Sequence, residues 1–273
     1  MMISLPRSVE LRPRLLMASG TASLPKPRFD HLKRMTDHRG LWEHARYTTP
    51  RVEHGYCTDD NARALIVVVR QPDPSADLID LAGIYLTFLR DAQLPDGSFV
   101  NRRGPAGSWT KGAGSDDSQG RALWAAGTAA RQAPEAWMRV VALGVFTKCR
   151  RFNSPSPRAN AFAVLGASEV LAVSPHNRHA RRILQGGLAH LRVRDDAGWP
   201  WPEDRLAYDN ARIPEALIAA GAALSSQHIL DSGLRLLEWL VAAESHDDHF
   251  SFTPVAGWAP GEPRPAFDQQ PLE

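Results

Sequence analysis

The chain alternates between two hydrophobic patterns, one apolar on nearly all sides and one apolar on a single side. The first pattern occurs in "DDNARALIVV" (59–68), "DSQGRALWAA" (117–126), "RANAFAVLGA" (158–167) and "DNARIPEALIAAG" (209–221). Small and aliphatic residues fill most positions of these segments, as is typical of helices buried within a protein. We therefore expect inner helices that begin near residues 59, 116, 159 and 209, with "DQQPLE" (268–273) as a fifth start.

The second pattern is amphipathic and fills the intervals at 76–93, 134–152, 178–194 and 227–245. In the last interval Leu230, Leu234 and Leu237 follow the 3–4 spacing of a helix, and Arg235 and Glu238 supply the polar side. One amphipathic helix after each apolar helix, at about 50 residues per pair, predicts a helical-hairpin repeat.

This repeat predicts an all-α fold in which the apolar helices form an inner barrel and the amphipathic helices an outer sleeve, an α/α toroid. The chain supplies four complete inner helices and a fifth that stops at Glu273, so the toroid is expected to be incomplete, with about five of six hairpins. We expect a single domain over 28–273 and a poorly ordered lead-in over 1–27.

Aromatic turns follow the outer helices at 37–44, 93–101, 195–204 and 246–252. A glycine in such a turn accepts the left-handed backbone that commonly ends a helix. Because each turn leads back to an inner helix, all the inner-helix starts are expected at one end of the toroid, around a common mouth.

Acidic residues recur at these starts. A single acid there is ordinary helix capping, but a ring of carboxylates repels itself and indicates a functional cavity. Asp60 is the first candidate, because the sequence "DNAR" that begins at Asp60 recurs at Asp209. We expect these two carboxylates to face one cleft as catalytic groups, with capping as the alternative. The further candidates are Asp59, Asp117, Asp116 and Asp268.

Basic and aromatic residues accompany the acids. Arg63 and Arg212 lie one turn into their helices, where they would hold carboxylates ionised or brace adjacent hairpins. The candidate sugar-stacking and substrate-binding residues are Trp42, His54, Tyr56, Trp109, Trp199, Trp201 and Tyr208, each with packing in a turn as its alternative. Glu203 and Glu43 are additional candidates for a general acid.

Composition narrows the functional classes. The net charge of +2 gives no sign of nucleic acid or of an acidic membrane as a partner. The longest aliphatic run, "ALIVVV" (64–69), is far shorter than the roughly 20 residues that span a bilayer. Only Cys57 and Cys149 are present, outside any zinc-binding spacing, so we expect no metal, no cofactor and a cytoplasmic location.

The acid-led inner helices and tryptophan-rich turns resemble the six-hairpin glycosidases, the (α/α)6-toroid superfamily. More narrowly, "GYCTDDNARAL", "YDNARIPEAL" and "FDQQPLE" resemble helical proteins associated with or fused to bacterial glycosyltransferases. The resemblance covers residues 28–273 and implies carbohydrate processing in an acidic, aromatic-lined cleft. Some α-mannan hydrolases of the superfamily carry neighbouring aspartates, which Asp59 and Asp60 match in form. Five inner-helix starts fall short of the superfamily's six.

Four functions are therefore weighed. A glycoside hydrolase uses one protonated acid and one carboxylate, and is favoured here. A non-catalytic glycan-binding or scaffolding partner of a glycosyltransferase would use the same acids to bind hydroxyl groups. A terpene cyclase-like toroid is suggested by Gln93, Gly97 and Phe99, but Cys57 and Gly114 stand where that class needs an acid. Sugar epimerases of the toroid class rely on paired histidines in the cavity, and only His54 is expected near the mouth, so this function is disfavoured.

The chain end carries a separate expectation. A helix that stops after its first turn is marginal by itself, so 266–273 is predicted to be weakly ordered. The toroid would then be open at a seam beside 209–224, closed by a second copy in a homodimer or by a glycosyltransferase partner.

Overall fold

The structure is a computed structural model that describes residues 26–149, 152–264 and 268. Within these residues the chain forms α-helices linked by short two-stranded ribbons. The helices are α1 (Asp30–Arg34), α2 (Thr58–Val69), α3 (Ala76–Ala92), α4 (Asp116–Gln132), α5 (Ala136–Lys148), α6 (Pro157–Val173), α7 (Arg178–Leu188), α8 (Arg212–Leu224) and α9 (Gln227–Glu244), with one 3-10 turn at Val52–His54.

In the described residues each ribbon is antiparallel, and each of its strands is two residues long. β1 (Thr36–Asp37) pairs with β2 (Gly40–Leu41), and β3 (Ala45–Arg46) pairs with β4 (Thr49–Pro50). β5 (Tyr56–Cys57) pairs with β6 (Arg102–Arg103), and β7 (Ser245–His246) pairs with β8 (His249–Phe250). The prediction of a mainly helical fold with short ribbons in the turns is confirmed.

Helices α2, α4, α6 and α8 pack side by side in chain order, and each also packs against the helix that follows it. The central helices α4 and α6 are buried over most of their length. The first and last of the row keep apolar side chains at the surface, with Val67 of α2 and Ala222 of α8 exposed. The alternation of apolar inner helices and amphipathic partners thus produces the packing that the sequence predicts for a hairpin repeat.

Small residues set the spacing between α4 and α6. A methyl group added at Gly127 would overlap the backbone carbonyl of Gly166, and one added at Gly120 would overlap that of Ala159. The two backbones therefore approach too closely for larger side chains at these positions, and close packing of this kind excludes voids.

Three inner helices begin within two residues of the predicted starts, but the fourth does not. Helix α8 begins at Arg212, and Asp209 precedes it in a left-handed backbone with φ of 53°. The side-chain amide of Asn210 forms two hydrogen bonds of 3.0 Å with the backbone of Ala207, which holds this segment as a turn. The two "DNAR" sequences therefore differ in local structure.

The outer helix predicted at 178–194 is shorter than expected and ends at Leu188. Gly186 and Gly187 lie in its last turn, where glycine disfavours continuation of a helix. The lead-in at 1–27 and the chain end at 266–273 lie outside the described residues, apart from Lys26, Pro27 and Asp268. None of the described helices has the length and apolar character needed to cross a bilayer.

Candidate functional site

The acids at the start of α2 belong to an ion-pair network. Asp59 and Asp60 are the second and third residues of the helix, and the capping position is taken by Cys57, whose side chain makes no capping hydrogen bond. Arg63, one turn later, pairs closely with Asp60 and lies 3.6 Å from Asp59. The side chains of both acids keep only 21% of their surface exposed, so each is largely but not fully buried.

Arg121 of α4 joins Asp59 to Asp209. Its two terminal nitrogens lie 2.8 Å from Asp59 Oδ2 and 3.3 Å from Asp209 Oδ2, and its side chain is only 6% exposed. The guanidinium also stacks over the ring of Phe162 at 4.6 Å. Asp59 and Asp209 lie 62 and 88 positions from Arg121 along the chain, and its guanidinium brings the three side chains together.

Arg212 extends the network into α8. Its Nε donates to Asp209 Oδ1 at 3.1 Å, and its terminal nitrogen pairs with Glu215. The guanidinium lies 4.9 Å from the ring centre of Trp124, a cation–π distance. Asp60 and Asp209 are thus linked through Arg63, Asp59 and Arg121 into one cluster at the N-terminal ends of α2, α4 and α8.

Asp60 has a raised pKa, chiefly because its carboxyl is buried. The positive charge of Arg63 opposes this shift, and the negative charges of Asp59 and Glu43 add to it. The sequence led us to expect that Arg63 holds its acid ionised, but for Asp60 the effect of burial is larger. A carboxyl with a raised pKa keeps its proton to higher pH, as a general acid requires.

Among the described residues, Glu43, Cys57 and Asp60 can bring three ligand atoms within 4.8 Å of one another. The chemistry of the set does not favour a metal. Burial and the nearby Asp60 and Asp59 charges raise the pKa of the Cys57 thiol to about 11, and the thiol already donates a hydrogen bond to Asn101 Oδ1 at 3.3 Å. Glu43 is already paired with Arg102.

A second polar cluster lies around Tyr208. Its hydroxyl donates to Asp117 Oδ2 at 2.5 Å, and burial together with this carboxylate raises its pKa. Arg158, whose side chain is 4% exposed, pairs with Glu203 and donates to Asn210 Oδ1 at 2.7 Å. Glu203 is therefore charge-compensated. Tyr208, the partner of Asp117, also lies close enough to Arg121 to feel its charge, so this cluster adjoins the first one. Asp116 instead accepts a hydrogen bond from Ser154 at 2.6 Å.

The predicted stacking residues are mostly packed in turns. Trp201 is fully buried and Trp199 nearly so, and both rings lie against Trp239. Their indole nitrogens donate to Glu203, so neither offers an open face to a sugar in this structure. For Trp199 and Trp201 the structure therefore shows the alternative to sugar stacking, which is packing of the rings within a turn.

The other candidate aromatic residues are also packed. Trp42 stacks on the buried Tyr56 at 4.1 Å, and the Tyr56 hydroxyl donates to Asp37. His54 is partly exposed and lies edge-on to His44, with ring centres 4.9 Å apart. Trp109, also partly buried, packs against Phe88. Asp268 is exposed, and its backbone carbonyl accepts a hydrogen bond from Val255.

The sequence analysis missed a set of side-chain amides that fix the turns next to the inner helices. Gln119 forms two hydrogen bonds of 2.7 Å with the backbone of Phe99, and Asn61 pairs with the backbone of Leu41 at 2.8 and 3.3 Å. Asn210 pairs in the same way with the backbone of Ala207. The signal was present in the sequence, because an amide recurs near the start of each apolar segment, at positions 61, 119, 160 and 210. Arg121 was not among the candidates, so its bridging role was also missed.

The chain resembles known proteins in fold rather than in sequence. No family model and no curated protein matches the chain. One solved structure, described as the crystal structure of a sugar epimerase from a ruminal bacterium, superposes with a TM-score of 0.63 at 11% identity. The match covers 81% of this chain and 69% of that one. At this identity the likeness concerns the fold, so the chain shares its overall architecture with that sugar epimerase.

Proposed function

We propose that the cluster at the starts of α2, α4 and α8 is the active site of a carbohydrate-active enzyme, a glycoside hydrolase that uses Asp60 and Asp209. The observation that carries this proposal is the network in which Arg63 and Arg121 bring Asp60, Asp59 and Asp209 together. Within it, burial raises the pKa of Asp60. Asp60 would protonate the leaving oxygen as the general acid. Asp209, with Arg121 and Arg212 beside it, would act as the carboxylate on water or on the anomeric carbon.

The architecture supports a sugar substrate. The row of inner helices with one outer helix each is compatible with an α/α toroid, and we propose membership of the six-hairpin superfamily. The structural neighbour is described as a sugar epimerase, which is consistent with a carbohydrate ligand. Association with a bacterial glycosyltransferase and a cytoplasmic location are kept as parts of the proposal, the latter because the sequence has only two cysteines.

A second candidate function, glycan binding without turnover, is favoured by one observation. Asp59, Asp60 and Asp209 each have an arginine partner, so the carboxylates are largely neutralised where they lie. Such pairs present fixed donors and acceptors to sugar hydroxyl groups without requiring a proton transfer.

An oligosaccharide library tests both functions. Binding is measured by calorimetry, and products are separated to detect hydrolysis or a change in the configuration of a sugar. We expect Asp60→Asn to bind sugar but to lose hydrolysis by at least about 100-fold, the usual contribution of a general acid. Asp231→Asn is the matched control, because Asp231 is a partly exposed acid on α9.

The outcomes separate the candidates. Binding without products favours the glycan-binding function, and an epimerised product with intact glycosidic bonds assigns isomerase chemistry. If Asp60→Asn and Asp209→Asn both leave binding and turnover unchanged, the cluster is structural and the proposal is wrong.

A further inference from the structure

Asp209 has a backbone conformation that is unusual for a residue with a side chain. Its φ of 53° lies in the left-handed region that favours glycine, and the residue is buried. Aspartate tolerates this region better than most residues do, but less well than glycine. A strained residue of this kind persists only where its surroundings impose the conformation, and such residues cluster at functional sites. The groups that impose it on Asp209 are therefore of functional interest.

Asn210, the next residue, is fully buried and fixes the turn with both ends of its side-chain amide. Its Oδ1 accepts from the backbone N–H of Ala207 at 3.0 Å and from Arg158 Nη2 at 2.7 Å. Its Nδ2 donates to the Ala207 carbonyl at 3.0 Å and to Thr253 Oγ1 at 3.2 Å. Arg158 also donates from Nε to the backbone carbonyl of Tyr208. The turn is thus held on both sides of its strained residue.

Thr253, which follows the last ribbon, links this turn to the end of α9. Its hydroxyl donates to Glu244 Oε1 at 2.5 Å, and its backbone N–H donates to the same oxygen at 3.0 Å. The hydroxyl therefore accepts from Asn210 and donates to Glu244 at once, which serine could also do and valine could not. All members of this support network, which consists of Arg158, Asn210, Thr253 and Glu244, are buried. Buried polar networks whose members are satisfied are rigid and specify one arrangement.

Held in this turn, Asp209 reaches arginines on two helices. Its Oδ1 accepts from Arg212 Nε at 3.1 Å, and its Oδ2 accepts from Arg121 of α4 at 3.3 Å. Asp60, at the aligned position, lies within α2 and pairs with Arg63 of its own helix. Both positions carry the same four-residue sequence, so tertiary contacts must account for the difference between them.

We propose that the support network is a positioning device, which imposes the left-handed conformation on Asp209 and thereby aims its carboxylate between Arg121 and Arg212. Thr253 acts on the site through Asn210. In the proposed hydrolase, on which this part of the inference rests, Thr253 is a positioning residue for the carboxylate that acts on water or on the anomeric carbon. A carboxylate fixed in advance does not have to reorient in the transition state.

Urea unfolding tests the imposed conformation without any substrate. Glycine adopts a positive φ without strain, whereas alanine is preferred within a helix. We expect the folding equilibrium constant of Asp209→Gly to be at least about fivefold higher than that of Asp209→Ala. The matched pair at Asp60 should show the opposite order, with Asp60→Ala more stable than Asp60→Gly.

The same comparison in a Thr253→Val background tests the role of the network. Without the hydroxyl, the alanine variant at position 209 can relax to a negative φ, so the preference for glycine should shrink. A preference for alanine at both positions overturns the proposal. A glycine preference at position 209 that Thr253→Val leaves unchanged also overturns it.

The oligosaccharide assay tests the consequence for the reaction. We expect Thr253→Val to lower kcat about 10- to 100-fold with KM little changed, because the carboxylate is misplaced while the binding groups remain. Thr253→Ser keeps the hydroxyl and should restore kcat. Thr128→Val is the matched control, because Thr128 is also fully buried and its hydroxyl has no hydrogen-bond partner in the part of the chain that the structure describes.

The two tests separate this inference from the proposed function. A wild type that hydrolyses sugar, with a kcat of Thr253→Val equal to that of Thr128→Val, overturns the positioning role. If the wild type hydrolyses no sugar, the proposed function fails, and the comparison of glycine with alanine at position 209 still decides whether the network imposes the turn.

Discussion

Replacing Arg121 by methionine tests the central ion-pair network most directly. Methionine retains much of the apolar volume but removes the guanidinium that bridges Asp59 and Asp209 at 2.8 and 3.3 Å. It also removes the cation that stacks over Phe162 at 4.6 Å. Because the side chain is almost fully buried, water cannot replace these contacts without a rearrangement of the inner helices.

The expected loss in the free energy of unfolding depends on which arginine partners Asp59 and Asp209 keep. Breaking a buried ion pair costs about 3–5 kcal/mol when it leaves an uncompensated charge. Here Asp209 keeps Arg212 at 3.1 Å, and Asp59 keeps Arg63 at 3.6 Å. We therefore expect the free energy of unfolding to fall by about 2–3 kcal/mol, below the full penalty.

Urea unfolding followed by circular dichroism measures this loss. The control is Arg205→Met, which breaks the half-exposed pair of Arg205 with Glu262 and should cost no more than about 1 kcal/mol. If Arg121→Met also carries Asp59→Asn and Asp209→Asn, the loss should be smaller than for Arg121→Met alone, because no buried carboxylate is left with a reduced number of partners. A loss for Arg121→Met equal to that of the control would refute this reasoning.

Three further predictions concern the site and the packing. Because the pKa of Asp60 is raised in the folded state, its ionisation lowers the free energy of unfolding as the pH rises. Asp60→Asn should therefore be more stable than the wild type at neutral pH and should lose this advantage in acid, which urea titrations at several pH values check. Gln119→Leu leaves the backbone N–H of Phe99 unpaired, whereas the Phe99 carbonyl keeps the N–H of Gly114. It should cost about 1–3 kcal/mol by urea unfolding, against under about 0.5 kcal/mol for Gln71→Leu at the surface. Gly127→Ala should lower the free energy of unfolding by about 1–3 kcal/mol, because the added methyl group overlaps the backbone of α6. Gly144→Ala, where nothing lies near the added methyl group, should raise the free energy of unfolding by up to about 1 kcal/mol, and equal effects of the two variants would contradict the close approach of α4 and α6.

Helix positions were largely predictable because hydrophobic periodicity and turn residues act over a few positions along the chain. The outer helix at 76–93 was predicted within one residue of α3, and the apolar run after Asp59 gave α2. The misplacement at Asp209 has a local cause that the pattern hides. Its "DNAR" sequence matches that of Asp60, but Asn210 pairs with Ala207 and Asp209 takes a positive φ, so the helix starts later.

The candidate site was predictable only in part, for a related reason. The sequence singled out Asp59, Asp60 and Asp209 by their repeated positions, and the structure brings them into one network. The sequence contains no measure of burial. It therefore could not show that Trp201 is enclosed, or that burial outweighs Arg63 in setting the pKa of Asp60.

The sequence by itself therefore determined the alternation of apolar and amphipathic helices, because each helix depends on residues only a few positions apart along the chain. Tertiary structure alone decided which charges meet. Arg121 lies 62 positions from Asp59 and 88 from Asp209, and no spacing rule links residues so far apart. Their contact exists because α4 packs between α2 and α6 and the chain returns through the turn before α8, which places one buried guanidinium between two carboxylates that need a partner there.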